Sequence, residues 1–165
     1  DSALNRWKVL AEEYAKDELY RRPQNDYGWT DMIGIINEFP GSGLIPVSWV
    51  TGFMGMNPDY DGVHVNPAIP TDYEYMGMKD FSYGGRSFDV TVFKNGNLEL
   101  NCKEGAGIDL SLENLSGKEK ATVKIYEGDA LKTSFEVSSE NGMFIINLSA
   151  EYSRTVCRVV IDQNI

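Results

Sequence analysis

Residues 55–70 read GMNPDYDGVHVNPAIP, and the character of the chain changes on either side of this stretch. Before it, the sequence is strongly apolar and helical in pattern. After it, apolar and polar residues alternate, as they do in strands that bury one face. A change of this kind is typical of a boundary between domains. We therefore predict one domain over residues 1–60 and a second over residues 61–165.

Three helices are predicted in the N-terminal part. Leu4, Trp7 and Leu10 recur at the spacing of one helix face, and the pattern extends over residues 4–20. A second helix is predicted over residues 29–38. A third is predicted over residues 46–56.

The apolar composition of residues 29–56 predicts burial against surface from outside the chain. About half of these residues are large and apolar, and only Asp31 and Glu38 are charged. Helices that are apolar nearly all round are buried on all sides. We therefore expect either self-association through the apolar helices or contact with protein surface that lies outside this chain.

The C-terminal part predicts an antiparallel β-sandwich. Phe88, Val90 and Val92 alternate with polar residues, which is the pattern of a half-buried strand. Asn95-Gly96 and Asn141-Gly142 are strong signals for tight hairpins. Six to nine short strands separated by such turns are typical of a sandwich.

The stretch around residues 55–70, quoted above, resembles the end of the catalytic barrel in six-hairpin glycoside hydrolases and disaccharide phosphorylases. The matching residues are Met54-Gly55, Pro58-Asp59-Tyr60-Asp61-Gly62, Val63-His64-Val65 and Pro67-Ala68-Ile69-Pro70. Residues 81–93, FSYGGRSFDVTVF, resemble the strand pair that follows in that family. The resemblance covers about residues 46–93.

This resemblance implies an α+β fold: three helices from the end of an (α/α)6 barrel, followed by an antiparallel β-sandwich. It implies the C-terminal portion of a carbohydrate-active enzyme, a glycoside hydrolase, which completes the barrel and caps it. Hydrolysis and phosphorolysis both stay open, and the chain alone is expected to be inactive. The alternatives are a freestanding carbohydrate-binding or adhesive β-sandwich and an unrelated scaffold with chance similarity.

The resemblance also implies that the loop over residues 38–45 lines a carbohydrate substrate pocket. Glu38 is the candidate catalytic acid, because burial would raise the pKa of its carboxyl group. Phe39 would stack on a sugar ring, and Gly41, Ser42 and Gly43 would bind substrate. In the alternative interpretation, Glu38 pairs locally and the loop is only a connector.

A set of turn-forming residues is predicted to build the domain junction. Residues that favour turns, or that end helices and strands, are given structural roles here. The seven residues are Gly55, Pro58, Tyr60, Asp61, Gly62, Pro67 and Pro70. Tyr73, Tyr75 and Tyr83 lie close to them in sequence and are expected to form an interdomain seam. An aromatic platform for carbohydrate is the alternative.

Charge and composition argue against several partner classes. The net charge is −10, so a phosphate backbone or an anionic membrane surface would be repelled. Pro40, Gly41, Gly43 and Pro46 interrupt the longest apolar stretch, so no membrane span is expected. No nucleic acid partner and no cofactor are predicted.

The few cysteines and the single histidine predict no metal site. His64 stands alone, and Cys102 and Cys157 are far apart in sequence. A bridge between the two cysteines and two unpaired core thiols both stay open. The chain begins at Asp1, which fits a processed fragment, and we expect a secreted or periplasmic compartment.

Overall fold

The computed structural model describes residues 2–15, 44–148, 152 and 156–163. The chain divides into two compact units, Asp1–Trp49 and Val50–Ile165. Each unit is described by itself below.

In the described part of the first unit, residues 2–15 and 44–49, Trp7 joins two helices. Helix α1 spans Ser2–Ala15, and α2 is a single turn over Leu44–Val47. The indole Nε1 of Trp7 donates to the carbonyl oxygen of Ile45 and to the Ser48 hydroxyl, both at 3.0 Å. The ring of Trp7 also lies 4.6 Å from that of Trp49. One side chain thus connects the two described helices of this unit.

After α2 the backbone widens into a π-helix over Ser48–Phe53. The Ser48 hydroxyl donates back to the carbonyl oxygen of Ile45 at 2.7 Å, a bond that competes with regular helix pairing. Pro46 has no N–H to donate, and Val50 is β-branched and a weak helix former. The predicted third helix over residues 46–56 is therefore only partly helical.

The described residues of the second unit form ten strands, with one sheet connecting all of them. In chain order they are β1 (Met56–Asp59), β2 (Gly62–Val65), β3 (Tyr75–Tyr83), β4 (Arg86–Phe93), β5 (Leu98–Cys102), β6 (Asp109–Glu113), β7 (Lys120–Glu127), β8 (Ala130–Glu140), β9 (Met143–Asn147) and β10 (Cys157–Asp162). Their order across the sheet is β1-β2-β6-β9-β8-β7-β10-β5-β4-β3. All neighbours are antiparallel except β2 and β6, which run parallel.

Strand β8 makes the sheet continuous, because it pairs with neighbours on both sides. Most of its length pairs with β7, from Lys120↔Ser138 to Glu127↔Ala130. Its last two residues, Ser139 and Glu140, pair with Phe144 and Met143 of β9. A strand of 11 residues is long enough to reach both neighbours. The sheet therefore curls until it is nearly closed.

The predicted fold class, three barrel helices followed by an antiparallel β-sandwich, is wrong. The described residues contain two short helices, with the π-helix after the second, and about half of them lie in strands. The strands form one nearly closed sheet and not two separate ones, and one pairing is parallel. The predicted helix over residues 29–38 lies outside the described residues.

The core lies on one face of each inner strand. Buried and half-buried positions alternate along β4, β6, β7 and β10, as the pleat of a strand requires. The largest fully buried side chains of this unit are Met54, Met56, Phe88, Leu98, Leu100, Ile108, Leu110, Leu112, Ile125, Phe144, Ile146 and Leu148. This apolar burial is the main source of the unit's stability.

The two ends of the strand order differ from the regular interior. Pro58 lies in β1, where a missing N–H is tolerated because the strand is at the edge. In β3 the register shifts between Met78 and Phe81, and Asp80 there has a φ of 57°. Edge strands that carry proline or a bulge are a common device of β-proteins.

Gln163 follows β10 and links three parts of the second unit. Its side chain is 0% exposed. Its Nε2 donates to the carbonyl oxygens of Gly96 at 2.8 Å and Glu113 at 3.0 Å, and its Oε1 accepts from the Leu115 N–H at 3.1 Å. The Gln163 N–H donates to Oδ1 of Asn97 at 2.8 Å. One amide therefore holds the loop after β4 and the end of β6 against the end of β10.

Replacing Gln163 tests this contact. Gln163→Ala removes three side-chain hydrogen bonds, of which the one to the Gly96 carbonyl oxygen is buried, so we expect a loss of about 2–4 kcal/mol in the free energy of unfolding. Asn101→Ala, an exposed change on β5, is the control and is expected to cost under about 0.5 kcal/mol. Urea denaturation measures the free energy of unfolding of both variants. Equal losses for the two would contradict the proposed role of Gln163.

The sheet also predicts how the unit responds to truncation. We expect a fragment of residues 50–165 to unfold cooperatively on heating. A fragment of residues 61–165 lacks β1 and the buried side chains of Met54 and Met56, each contributing about 1.5–3 kcal/mol. It should therefore melt at a markedly lower temperature. Identical melting curves for the two fragments would show that β1 contributes nothing to the sheet.

Candidate functional site

Residues 38–43 of the predicted substrate loop lie outside the described residues, whereas Leu44 and Ile45 at its end belong to α2 and not to a loop. The residues outside include the candidate acid Glu38 and the four candidate substrate contacts, Phe39, Gly41, Ser42 and Gly43. Their roles stay predictions. The predicted junction residues, in contrast, are all described, and most of them lie in or beside the hairpin of β1 and β2.

The base of this hairpin is held by backbone contacts around Gly55. The Asn66 N–H donates to the Gly55 carbonyl oxygen at 3.0 Å, and the Ala68 N–H donates to that of Phe53 at 3.0 Å. Gly55 has a φ of 65°, and a Cβ atom there would lie 1.8 Å from the Asn66 carbonyl oxygen. Only glycine fits this close backbone approach.

A second close approach fixes β2 against β6. Gly62 has a φ of 146°, and a Cβ atom there would lie 2.5 Å from the backbone oxygen of Asp109. Val63 and Val65 next to it are buried and pair in parallel with Leu110 and Leu112. The hairpin is thus anchored at two points, Gly55 and Gly62, while Pro67 and the buried Pro70 follow it.

The tip of the hairpin points an aromatic side chain into solvent. Tyr60 is 96% exposed, although its backbone N–H is held by the Asp59 carboxylate at 2.7 Å. The hydroxyl of Tyr83 donates to the carbonyl oxygen of Asp59 at 2.9 Å and supports the tip from β3. Tyr75 lies apart from these residues and packs on Phe93, with ring centroids 5.8 Å apart. The predicted tyrosine cluster therefore forms only in part.

A shallow groove of about 160 Å³ lies beside the hairpin. His64, Ser111 and Ile145 form a row across its floor, because they are direct register partners on β2, β6 and β9. The carboxylates of Asp61 and Asp109 belong to the same groove. These groups could hydrogen-bond a polar ligand. No group of three or more metal-binding side chains occurs among the residues that the structure describes.

A charged cluster supports the bulge in β3. The Lys103 Nζ contacts the carboxylates of Asp80 at 2.7 Å and Asp89 at 2.8 Å. Hydrogen bonds from Lys103 lower the pKa of both carboxyl groups, and those bonds raise the pKa of Lys103. The Asp80 N–H also donates to Asp89 at 3.1 Å. Because the cluster is largely exposed, its contribution to stability is small.

The two cysteines are brought together, which sequence separation alone could not indicate. Cys157 of β10 and Cys102 of β5 are direct register partners. Both are free thiols and both are buried. The only sequence signal for this pairing was that each cysteine lies at one terminus of an apolar strand.

Comparison of the chain with protein-family models, with curated proteins and with solved structures found no match. The resemblance of residues 46–93 to six-hairpin glycosidases therefore stays a prediction. In the part of the chain that the structure describes, no helix has the length and apolar character to cross a membrane.

A pair of glycine substitutions tests the anchoring of the hairpin. Gly55 and Gly128 have similar φ values, 65° and 62°, but a Cβ at Gly128 would meet no atom within 4 Å. We expect Gly128→Ala to cost about 1 kcal/mol for the left-handed backbone alone. Gly55→Ala carries the same cost plus a clash with Asn66, so we expect about 3 kcal/mol or more. Urea denaturation compares the two, and equal losses would rule out the close approach.

Proposed function

We propose that this chain is the C-terminal portion of a carbohydrate-active enzyme, a glycoside hydrolase, and that its β-unit caps the catalytic module. The proposal does not include the barrel helices that the sequence predicted. It assigns the second unit a docking role through the hairpin of β1 and β2. The loop over residues 38–45, with Glu38 as acid, is the proposed contribution of the chain to the substrate pocket.

The exposed tip of the hairpin is the observation that supports the docking role, while the assignment to a glycoside hydrolase rests on the resemblance of residues 46–93. Tyr60 is 96% exposed on a turn that is fixed by Asp59, Tyr83 and the two anchoring glycines. A rigid base reduces the entropy that a contact must overcome. Tyrosine is also enriched among the residues that dominate binding energy at interfaces. A fixed and exposed tyrosine is suited to insertion into a partner surface.

The surroundings of Tyr60 favour a protein partner over a sugar ring. Asp59 and Asp61 flank the ring on the same turn and are both exposed. Carboxylates at this position can accept hydrogen bonds from backbone N–H groups or from arginine on a facing protein. Tyr83, the nearest supporting tyrosine, uses its hydroxyl within the unit. The tip therefore presents one ring between two anionic groups.

A substitution at the tip tests the docking role in the enzyme that contains this chain. Tyr60→Ala should leave the melt of the isolated second unit unchanged within about 0.5 kcal/mol, because the ring makes little contact there. In the whole enzyme, Tyr60→Ala should weaken the docking of the β-unit on the catalytic module by about 2 kcal/mol. The glycoside-cleaving activity should then be lost faster on heating.

The control is Leu131→Ala, which removes a side chain that is 54% exposed on a different hairpin. Leu131→Ala should change neither the melt of the isolated second unit nor the rate of thermal inactivation of the whole enzyme. Equal inactivation rates for the Tyr60 and Leu131 variants would contradict docking through the tip. If the purified chain instead binds oligosaccharides and loses that binding in Tyr60→Ala, the freestanding carbohydrate-binding module is the correct interpretation.

A further inference from the structure

Cys102 and Cys157 occupy the geometry from which a cross-strand disulfide forms. Residues directly opposite each other in antiparallel strands have Cα atoms about 4.5–5.5 Å apart, and disulfides span Cα separations of about 4.4–6.8 Å. The register places these two cysteines directly opposite each other on β5 and β10. Both side chains point to the buried face, with exposures of 2% and 5%. No backbone movement is needed to bring the sulfurs together.

A surface groove lies beside the two cysteines. It has a volume of about 370 Å³, and both cysteines, Arg158 and Asp129 on the β7–β8 turn belong to its lining. Lys103 also lines the groove, but its charge is already paired with Asp80 and Asp89. The groove therefore offers space for a small reagent beside the pair, and its charge selects no particular one.

The two thiols differ in reactivity. A hydrogen bond with Cys102 and the charge of Lys132 lower the pKa of Cys157, while burial and Glu127 oppose this change. The same hydrogen bond, together with burial, raises the pKa of Cys102. The thiolate is the attacking species in thiol–disulfide exchange. Cys157 is also the more exposed of the two, at 5% against 2%, so we assign it as the first nucleophile and Cys102 as the resolving thiol.

We propose that Cys102 and Cys157 form a reversible disulfide latch that closes by exchange with a low-molecular-weight disulfide such as glutathione disulfide. The Cys157 thiolate attacks one sulfur of the reagent, forms a mixed disulfide and releases one glutathione thiolate. Cys102 then loses its proton and attacks the Cys157 sulfur, which releases the second glutathione. Two protein thiols are oxidised to one disulfide, and one glutathione disulfide is reduced to two thiols.

Closing the latch would lock β10 into the sheet. This strand lies between β5 and β7, and Cys157 is its first residue. A covalent bond to β5 would close a loop of 55 residues, from 102 to 157, and limit the freedom of the unfolded chain. The β-unit would then be more stable in an oxidising compartment than in a reducing one.

Equilibration in glutathione buffers tests the latch. The folded chain is incubated across a series of oxidised-to-reduced glutathione ratios, quenched with acid, unfolded and alkylated. We expect both thiols to disappear in a single step, with the loss of two hydrogen atoms in the intact mass and a linked Cys102–Cys157 peptide after digestion. The melting temperature should rise by at least about 5 °C and return to its starting value with dithiothreitol.

Two single substitutions identify the order of attack. Cys102→Ser should stop at a mixed disulfide that carries one glutathione on Cys157, whereas Cys157→Ser should leave Cys102 reduced. The measurement on the unmodified chain decides the proposal even if a serine variant fails to fold. Thiols that stay free across the whole series, a mixed disulfide that never resolves, or bridging only in denaturant would each overturn it.

Discussion

The position of β10 between β5 and β7 is the constraint on which the rest of the β-unit depends. This strand is far along the chain, yet it pairs with both neighbours through five register positions on each side. Val159 and Ile161 on its inner face are fully buried. Among the described strands, β10 is the one whose backbone pairing joins the group β3–β5 to β7 and β8. Gln163 strengthens the same joint, because it ties the end of β10 to loops from both halves of the sheet.

The sequence indicated which residues face inward but not which strands are neighbours. Alternation in β4, β7 and β9 was visible because each strand buries every second residue. The central position of β10 was not visible, since hydropathy identifies a buried face and carries no information on pairing. The alternation of β3 was obscured in the sequence by its bulge. The bulge places the buried Met76 and Phe81 an odd number of positions apart, which does not match the two-residue period of a strand. Strand β8 shows no buried position at all, so its double pairing had no hydropathic signal.

Local chemistry was more informative at the hairpin than in the helices. The turn formers between Gly55 and Pro70 lie in a tight and well-anchored structure, but the steric reason is nonlocal: Asn66 and Asp109 approach the two glycines. The helix prediction for residues 46–56 relied on apolar composition and gave too little weight to Pro46 and Ser48. The cysteine pair shows the same limit, because only the register of β5 and β10 makes the two thiols neighbours. The candidate acid Glu38 lies outside the described residues, so its role rests on the family resemblance and on the apolar composition around it.

The two edge strands have a consequence for self-recognition between copies of this protein. β-Sheets polymerise when a flat, regular edge offers a continuous row of N–H and carbonyl groups to another edge. Here Pro58 removes a donor from β1, and the bulge at Asp80, with Lys103 and Asp89 beside it, distorts β3. Both edges therefore resist strand addition, by unrelated chemical means. Edge-to-edge stacking into fibrils is disfavoured, and a partner must recognise side chains and shape instead of a free strand.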